Sequence, residues 1–181
     1  MQKKKEIPYS CQNIDESDIE NVLNALKSKL ITQGPLVRNF EQTLSKKVGS
    51  KYALAVNSAT SALHLACLAL GLNKKDSLWT SPISFVASAN CARYCGSKVD
   101  FIDINRDTCL IDIKKLVKKL KISEKKGTIP KIIIPVHLAG NSCDLSELSK
   151  ISKDYGFSIV EDASHALGAK YNNKYVGNCE F

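Results

Sequence analysis

The sequence contains no hydrophobic run long enough to cross a membrane. Its most apolar stretches, "LHLACLALGL" and "IIIPV", are interrupted or short, whereas a membrane-spanning helix needs about 20 apolar residues. No apolar segment of the kind found in signal peptides follows the basic opening "MQKKKEIPYS". These absences predict a cytoplasmic protein with no membrane partner.

Several ligand-binding motifs are missing as well. The chain has no CxxC and no HExxH, and it has neither the GxGxxG of dinucleotide sites nor the GxxxxGK[ST] of P-loops. Its seven cysteines are an odd number without an export signal, which favours reduced thiols. Cys91 and Cys95 stand four apart on a predicted helix. They could share a metal, but buried small residues on an apolar face are the favoured interpretation, and we predict no metal site.

The positive charge is present but concentrated. The formal net charge is +8, and "KKLVKKLKISEKK" contributes seven lysines over 114–126. Leu116, Val117 and Leu120 recur among them at helical spacing, which predicts a solvated surface helix. No aromatic platform or nucleic-acid-binding motif accompanies the lysines, so no nucleic-acid partner is expected. A weaker alternative is that the charge attracts a polyanionic small molecule.

Helical and strand patterns alternate along the chain. Helical spacing begins at Ile19 and again at Val37, with Asp15 or Ser17 able to cap the first helix and Gly49 ending the second. Further helices are predicted in "NSATSALHLACLALG", "SFVASANCARYCG", the lysine-rich segment and "DLSELSKISKDYG", strands in "KYALAV", "SLWTS", "KVDFIDI", "KIIIPV" and "FSIVED", and a hairpin in "AKYNNKYVG". This pattern predicts an α/β fold with a mainly parallel sheet flanked by helices.

Four polar segments follow predicted strands: "NSATSA", "TSPISF", "PVHLAG" and "EDASHA". In open α/β sheets ligands bind beyond the carboxyl ends of the strands, so these segments are expected to converge. The free amides at the start of the third helix, with the hydroxyls of Thr60 and Ser61, could cradle a phosphate. The alternative is ordinary capping of that helix by Asn57 or Ser58.

The segment "IVEDASHALGA" places Glu161 and Asp162 at the end of a buried strand. A buried carboxylate is costly without a partner. Asp162 could pair with a protonated heterocyclic nitrogen, which is how a protein makes pyridoxal phosphate an electron sink. Phe85 could offer a flat face to such a ring, and His165 could reach a ring hydroxyl. A helix cap, core packing and a satisfied polar side chain are the respective alternatives.

Four stretches together resemble one family. They are "ITQGPLVRNFEQTLSKKVGSKYALAVNSATSALHLACLALG", "TSPISFVASANCARYCGSKVDFIDI", "IIPVHLAGNSCDLSEL" and "IVEDASHALGAKYNNKYVG", and they resemble the DegT/DnrJ/EryC1/StrS family of nucleotide-sugar aminotransferases. The resemblance implies the type I aminotransferase fold, pyridoxal 5'-phosphate and a homodimer. Within the family, "IPYSCQNI", "ITQGP" and "TSPISFVASANCARYCG" most resemble the 4-aminotransferases of the pseudaminic acid pathway. Those enzymes aminate a UDP-linked 4-keto-6-deoxy-N-acetylhexosamine with glutamate as donor.

The resemblance also implies roles for individual residues. Thr60 and Ser61 match positions that bind the cofactor phosphate, and Phe85 matches the aromatic residue stacked on the pyridine ring. Asp162 matches the carboxylate that pairs with the ring nitrogen, and His165 matches the neighbour of the 3-oxygen. Glu161 matches no such position, so a surface or structural contact is expected for it.

One family feature is not found in this sequence. The family's Schiff-base lysine lies in a segment of the "SFHPVK" kind, which is expected beyond Phe181, as is the C-terminal small domain. Residues 1–181 are therefore expected to form the N-terminal segment and most of the cofactor-binding large domain, and to be inactive and poorly stable alone, with apolar surface exposed. Two alternatives stay open: a PMP-dependent sugar dehydratase of the same family, and a non-catalytic cofactor-binding subunit.

Overall fold

A computed structural model describes Pro8 and residues 11–178. Most of "IPYS" within the "IPYSCQNI" motif, and Cys179–Phe181, lie outside the described residues. The chain divides into two compact units, Met1–Phe40 and Glu41–Phe181. No helix in the described part of the chain has both the length and the apolar character that a membrane span requires.

The first unit contains helix α1, Glu16–Lys27, and the start of α2, Pro35–Val48. Asp15 caps α1, because its Oδ1 accepts from the amides of Ser17 at 2.8 Å and Asp18 at 3.2 Å. The Asp18 carboxylate accepts the Asp15 amide in return and completes a capping box. The prediction of a capped helix is confirmed, although the apolar side chains of α1 are exposed in this chain.

The second unit contains a four-stranded sheet and its helices. The strands are β1 (Ser77–Thr80), β2 (Lys98–Phe101), β3 (Ile132–Ile134) and β4 (Ser158–Ile159), and the helices are α3 (Ala59–Ala69), α4 (Ala87–Tyr94), α5 (Ile113–Lys125) and α6 (Leu145–Tyr155). Their order in the sheet is β2-β1-β3-β4, and every pair is parallel. Strands β5 (Lys170–Tyr171) and β6 (Lys174–Tyr175) form a separate antiparallel hairpin. The predicted α/β fold with a parallel sheet is confirmed.

Apolar side chains cover both faces of this sheet. Leu78, Ile132 and Ile134 pack in one buried cluster with Leu63 and Cys67 of α3 and with α4. Trp79 and Ile133, the alternate residues of the same strands, pack in a second cluster with Leu116, Leu120, Leu148 and Ile151 of α5 and α6. Successive side chains of a strand point to opposite faces, so an uninterrupted apolar run indicates a sheet covered on both sides.

The lysine-rich segment forms α5 as predicted. Leu116 and Leu120 are fully buried, while most of the lysines around them are exposed. Asp112 caps the helix through the amide of Lys115 at 3.0 Å. The interpretation of this segment as a solvated surface helix is therefore confirmed.

The structure contradicts the predicted strand "KYALAV" and the predicted start of one helix. The segment "KYALAV", 51–56, is not a strand: no described segment pairs with it, and Tyr52 and Leu54 are 76% and 86% exposed. A strand requires a neighbour for its amides and carbonyls, and here the Ala55 amide instead donates to Glu41 Oε1 at 2.8 Å. Helix α4 begins at Ala87 rather than Ser84, because the amides of Ser88 and Ala89 bond to carbonyls only three residues back.

A candidate ligand site at the carboxyl edge of the sheet

The loops after β1, β3 and β4 meet at one edge of the sheet, because parallel strands end on the same side. The segment after β4 continues to pair beyond its regular strand. The amide of Asp162 donates to Pro135 O at 2.9 Å, and the amide of His137 donates to Asp162 O at 3.0 Å. These bonds hold "PVHLAG" and "EDASHA" side by side, as the sequence predicted.

Asp162 is the central side chain of this edge. It is only 7% exposed, and each of its carboxylate oxygens accepts a short hydrogen bond. Ser88 Oγ donates to Oδ2 at 2.6 Å, and Ser164 Oγ donates to Oδ1 at 2.7 Å. Within the described residues no lysine, arginine or histidine nitrogen lies within 4.0 Å of the carboxylate. The site therefore contains a buried carboxylate that accepts from two hydroxyl groups and is not paired with a cationic side chain among the described residues.

Glu161 has a different environment from its neighbour. Its Oε2 lies 2.8 Å from Nε2 of His137, whose side chain is fully buried. The other ring nitrogen, Nδ1, accepts the amide of Cys143 at 3.0 Å. Because Nδ1 accepts, the imidazole proton is on Nε2 and is donated to Glu161. The expected structural contact of Glu161 is confirmed, with His137 as its partner.

His165 lies over the turn at Leu138–Gly140 that follows β3. Its Nδ1 accepts the amide of Ala139 at 3.3 Å, which leaves Nε2 as the protonated nitrogen of an exposed ring. Gly140 has a φ of +82°, and a Cβ there would approach His165 O to 3.1 Å. A glycine suits this point because both its backbone conformation and the close approach disfavour a side chain.

Phe85 precedes α4, and its side chain is 73% exposed. Its carbonyl accepts the amide of Ser88 at 3.2 Å, and Ser88 is the residue that donates to Asp162. The structure thus joins the Phe85 loop to Asp162 through a single buried serine. An exposed aromatic side chain on a loop that is tied to a buried carboxylate makes Phe85 a candidate contact for a flat cationic ring.

Thr60 and Ser61 lie in the first turn of α3. Ser58 caps this helix by accepting the Ser61 amide at 3.1 Å, and Ser61 Oγ donates to Asn57 Oδ1 at 2.7 Å. The capping considered as the alternative to a phosphate cradle is therefore present. Among the described residues, the Thr60 hydroxyl makes no hydrogen bond, and neither residue bonds to Asp162, His165 or the Phe85 loop. Helix α3 nevertheless packs against α4, the helix that follows Phe85, because side chains of both helices lie in one core cluster.

Sequence reasoning missed four residues at this edge: Ser81, Ser88, His137 and Ser164. A polar residue at a core-facing position of an apolar helix was the available signal for Ser88, and the "DxS" spacing was the signal for Ser164. Ser81 is 3% exposed, and its Oγ is a buried polar atom without a partner among the described residues. Buried polar atoms of this kind are rare in native proteins, which makes the Ser81 hydroxyl a candidate contact for a polar group. The described residues contain no cluster suited to a metal ion.

Comparison with known proteins places the chain in a family. The sequence profile of the DegT/DnrJ/EryC1/StrS aminotransferase family matches residues 12–180. A UDP-4-amino-4,6-dideoxy-N-acetyl-beta-L-altrosamine transaminase of Campylobacter jejuni is 46% identical over 171 residues, which are 94% of this chain and 44% of that protein. The spore coat polysaccharide biosynthesis protein SpsC of Bacillus subtilis is 35% identical over 172 residues, 95% of this chain and 43% of its own. The chain spans less than half the length of these relatives.

Solved structures of the same family share the fold. Helicobacter pylori PseC, an aminotransferase of pseudaminic acid biosynthesis, superposes with a TM-score of 0.83 at 38% identity, over 96% of this chain and 45% of that chain. A candidate sugar aminotransferase of Streptococcus pneumoniae in its PMP form gives a TM-score of 0.84 at 32% identity, over 95% and 45%. The profile match and the fold together show that this chain belongs to the DegT/DnrJ/EryC1/StrS aminotransferase family.

Proposed function

We propose that the protein is a sugar aminotransferase that uses pyridoxal 5'-phosphate. The observation that carries the proposal is the buried carboxylate of Asp162, which has hydroxyl donors on both oxygens but no cation among the described residues. A buried anion of this kind is stable when an external cation completes it. The protonated ring nitrogen of pyridoxal phosphate is such a cation.

The other residues of the edge fit the same cofactor. Phe85 offers an exposed ring, the exposed Nε2–H of His165 can donate to a ring oxygen, and the unpaired Ser81 hydroxyl is available to a polar group. The open first turn of α3, with Thr60, is suited to a phosphate. These assignments support the proposal that the described residues form much of the cofactor-binding large domain.

When bound, pyridoxal phosphate would supply an electron sink and would carry the amino group from a donor to a keto sugar. Asp162 would hold the ring nitrogen protonated, and Phe85 would fix the plane of the ring. We further propose glutamate as the donor and a UDP-linked 4-keto-6-deoxy-N-acetylhexosamine as the acceptor, which would serve pseudaminic acid or a related glycan. The relatives from Campylobacter jejuni and Helicobacter pylori support this choice, and a homodimer would be the working form.

Binding of pyridoxamine 5'-phosphate (PMP) tests the Asp162 assignment, because PMP needs no covalent link to the protein. In a calorimetric titration Asp162→Asn should weaken PMP binding by roughly ten- to hundredfold, as expected when a bond between charged groups is lost. Asp107→Asn, a change at an exposed loop carboxylate, is the matched control and should bind like the wild type. Equal affinities for all three proteins would refute the assignment.

Pyridoxamine, which lacks the phosphate, tests the cradle in the same assay. Thr60→Ala should weaken binding of PMP by about tenfold and leave binding of pyridoxamine unchanged. Ser61→Ala should act mainly on helix stability, because the Ser61 hydroxyl is already bonded to Asn57. A loss of affinity that is the same for both ligands would show that Thr60 does not contact a phosphate.

The substrate is tested separately. A form of the protein that includes the Schiff-base lysine segment would be incubated with pyridoxal phosphate, glutamate and the UDP-linked 4-keto sugar, and the sugar nucleotide would be analysed by mass spectrometry. We expect replacement of the keto oxygen by an amino group, with formation of 2-oxoglutarate. Amination of other keto-sugar nucleotides but not of this one would leave the aminotransferase proposal in place and overturn the choice of acceptor.

A further inference from the structure

A chain of hydroxyl groups leads from the Phe85 loop to the buried carboxylate of Asp162. Ser88 is fully buried in the first turn of α4. Its Oγ lies 2.7 Å from Ser84 Oγ and 2.6 Å from Asp162 Oδ2. We call these three groups, Ser84 Oγ, Ser88 Oγ and Asp162 Oδ2, the serine relay. The relay joins two segments that are 74 residues apart in the sequence.

The chemistry of the groups fixes the direction of the relay. An ionised carboxylate can only accept hydrogen bonds, so the proton of Ser88 is donated to Asp162. A hydroxyl has one proton, and the contact between the two serines is therefore donated by Ser84. The longer contact from Ser88 Oγ to the Phe85 carbonyl, 3.3 Å, is the weaker use of the same proton. The relay runs from Ser84 to Ser88 to Asp162.

Donation from Ser84 to Ser88 strengthens the hydrogen bond from Ser88 to Asp162. A hydroxyl that accepts a hydrogen bond becomes a better donor, so Ser84 makes Ser88 a stronger partner of the carboxylate. The distance of 2.6 Å lies in the range of charge-assisted O–H···O⁻ bonds. Ser88 thus holds Oδ2 in one place while Ser164 holds Oδ1. Hydrogen bonds to both oxygens restrict rotation of the carboxylate, so that its orientation is largely set before a ligand binds.

We propose that Ser88 is a positioning residue for the cofactor ring. It orients Asp162 toward the ring nitrogen. Through its contacts with Ser84 and the Phe85 carbonyl, it also holds the Phe85 loop in place relative to that carboxylate. The inference rests on the proposed function, because it assumes that Asp162 pairs with a ring nitrogen. It adds a residue that acts through Asp162 and touches no part of the ligand itself.

The test compares PMP with its 1-deaza analogue, in which a CH group replaces the ring nitrogen. The ratio of the two dissociation constants, the nitrogen selectivity, measures the contact with Asp162 alone. We expect Ser88→Ala to lower the nitrogen selectivity by about tenfold, the value of one hydrogen bond to a charged group. Ser88→Thr keeps the hydroxyl and should retain most of the selectivity. Ser84→Ala should lower it by a smaller factor, about threefold.

Ser97→Ala is the matched control. Ser97 is also fully buried, but its hydroxyl donates to the Asp76 carbonyl at 2.8 Å, at the start of β2 and away from the carboxyl edge. This variant should lose stability without losing nitrogen selectivity. Wild-type selectivity in Ser88→Ala would overturn the inference and leave the cofactor proposal intact. If Ser88→Ala does not fold, unchanged selectivity in Ser84→Ala overturns it. Absence of selectivity in the wild type would overturn both proposals.

Discussion

Two adjacent carboxylates, Glu161 and Asp162, follow β4, and each has a distinct set of partners. Glu161 accepts from the buried imidazole of His137, whereas Asp162 accepts from serine hydroxyls on both of its oxygens. The first arrangement is a complete internal pair. The second lacks a described cation, which is why Asp162 and not Glu161 is the candidate ligand contact.

His137 should be a major contributor to stability. His137→Ala would remove the donor to Glu161 and the acceptor of the buried Cys143 amide. We expect the free energy of unfolding, measured by urea denaturation, to fall by about 3 kcal/mol. The control is Lys150→Ala, which removes the exposed ion pair with Glu147 and should cost less than about 1 kcal/mol. Similar small losses in both variants would contradict the structural role of His137.

The buried thiol of Cys143 should make the free energy of unfolding depend on pH in the alkaline range. Burial raises the pKa of its thiol from an ordinary 9.0 to about 12. The unfolded chain therefore loses this proton first, so the stabilisation by the neutral thiol is full below pH 9 and is lost as pH rises toward 12. Between pH 8 and pH 10 the wild type should lose roughly 1 kcal/mol more stability than Cys143→Ala. Cys11→Ala, at an exposed thiol, should match the wild type, and identical pH profiles for all three would contradict the prediction.

At the scale of elements, the hairpin shows how two residues specify a turn. Asn172 and Asn173 have φ values of 48° and 66°, the left-handed conformation that a two-residue type I′ turn needs at both positions. The turn brings Lys170 opposite Tyr175 and Tyr171 opposite Lys174. Asparagine tolerates this conformation better than other non-glycine residues, so "NN" between two short strands was a sufficient signal.

Substitution of Asn173 should therefore change stability in a residue-dependent way. Asn173→Val places a β-branched side chain at positive φ and should cost about 1–2 kcal/mol. Asn173→Gly should be neutral or stabilising by a few tenths of a kcal/mol, since Asn-Gly is the preferred pair in such turns. Thermal unfolding followed by circular dichroism distinguishes the variants. Equal melting temperatures for the valine and glycine variants would argue against the left-handed turn.

At the scale of the whole molecule, both units expose large apolar side chains. In the first unit α1 buries none of its residues, and Ile19, Val22, Leu23 and Leu26 are about half exposed or more. In the second unit Leu54, Phe85 and Leu167 are more than 70% exposed. Exposed apolar surface of this kind is typical of interaction sites.

We expect the protein to associate with itself through such surface. Light scattering coupled to size exclusion should report a mass above that of the single chain. The double variant Leu23→Glu/Leu26→Glu, on the apolar side of α1, should shift the distribution toward the monomer, while Glu20→Lys on the same helix should not. A monomeric wild type, or an equal effect of both changes, would contradict this role of α1.

Most elements could be predicted from the sequence because they depend on local patterns, and the family was predicted from the resemblance of four stretches. Helical spacing, the cap at Asp15, the "NN" turn and the apolar strands are properties of neighbouring residues. The segment 51–56 was predicted wrongly because a strand exists only if another segment supplies the partner of its hydrogen bonds.

The sequence by itself also predicted candidate ligand contacts, namely Thr60, Ser61, Phe85, Asp162 and His165, and their roles stay predictions. Only the tertiary structure decided how they are held. Ser88 is hydrogen-bonded to Asp162, 74 residues away in the sequence, and His137 is hydrogen-bonded to Glu161, 24 residues away. Such pairings arise from the order of parallel strands and the packing of α4 on the sheet. Spacing along the chain does not encode them, because the contacts that fix a buried polar group come from elements distant in sequence.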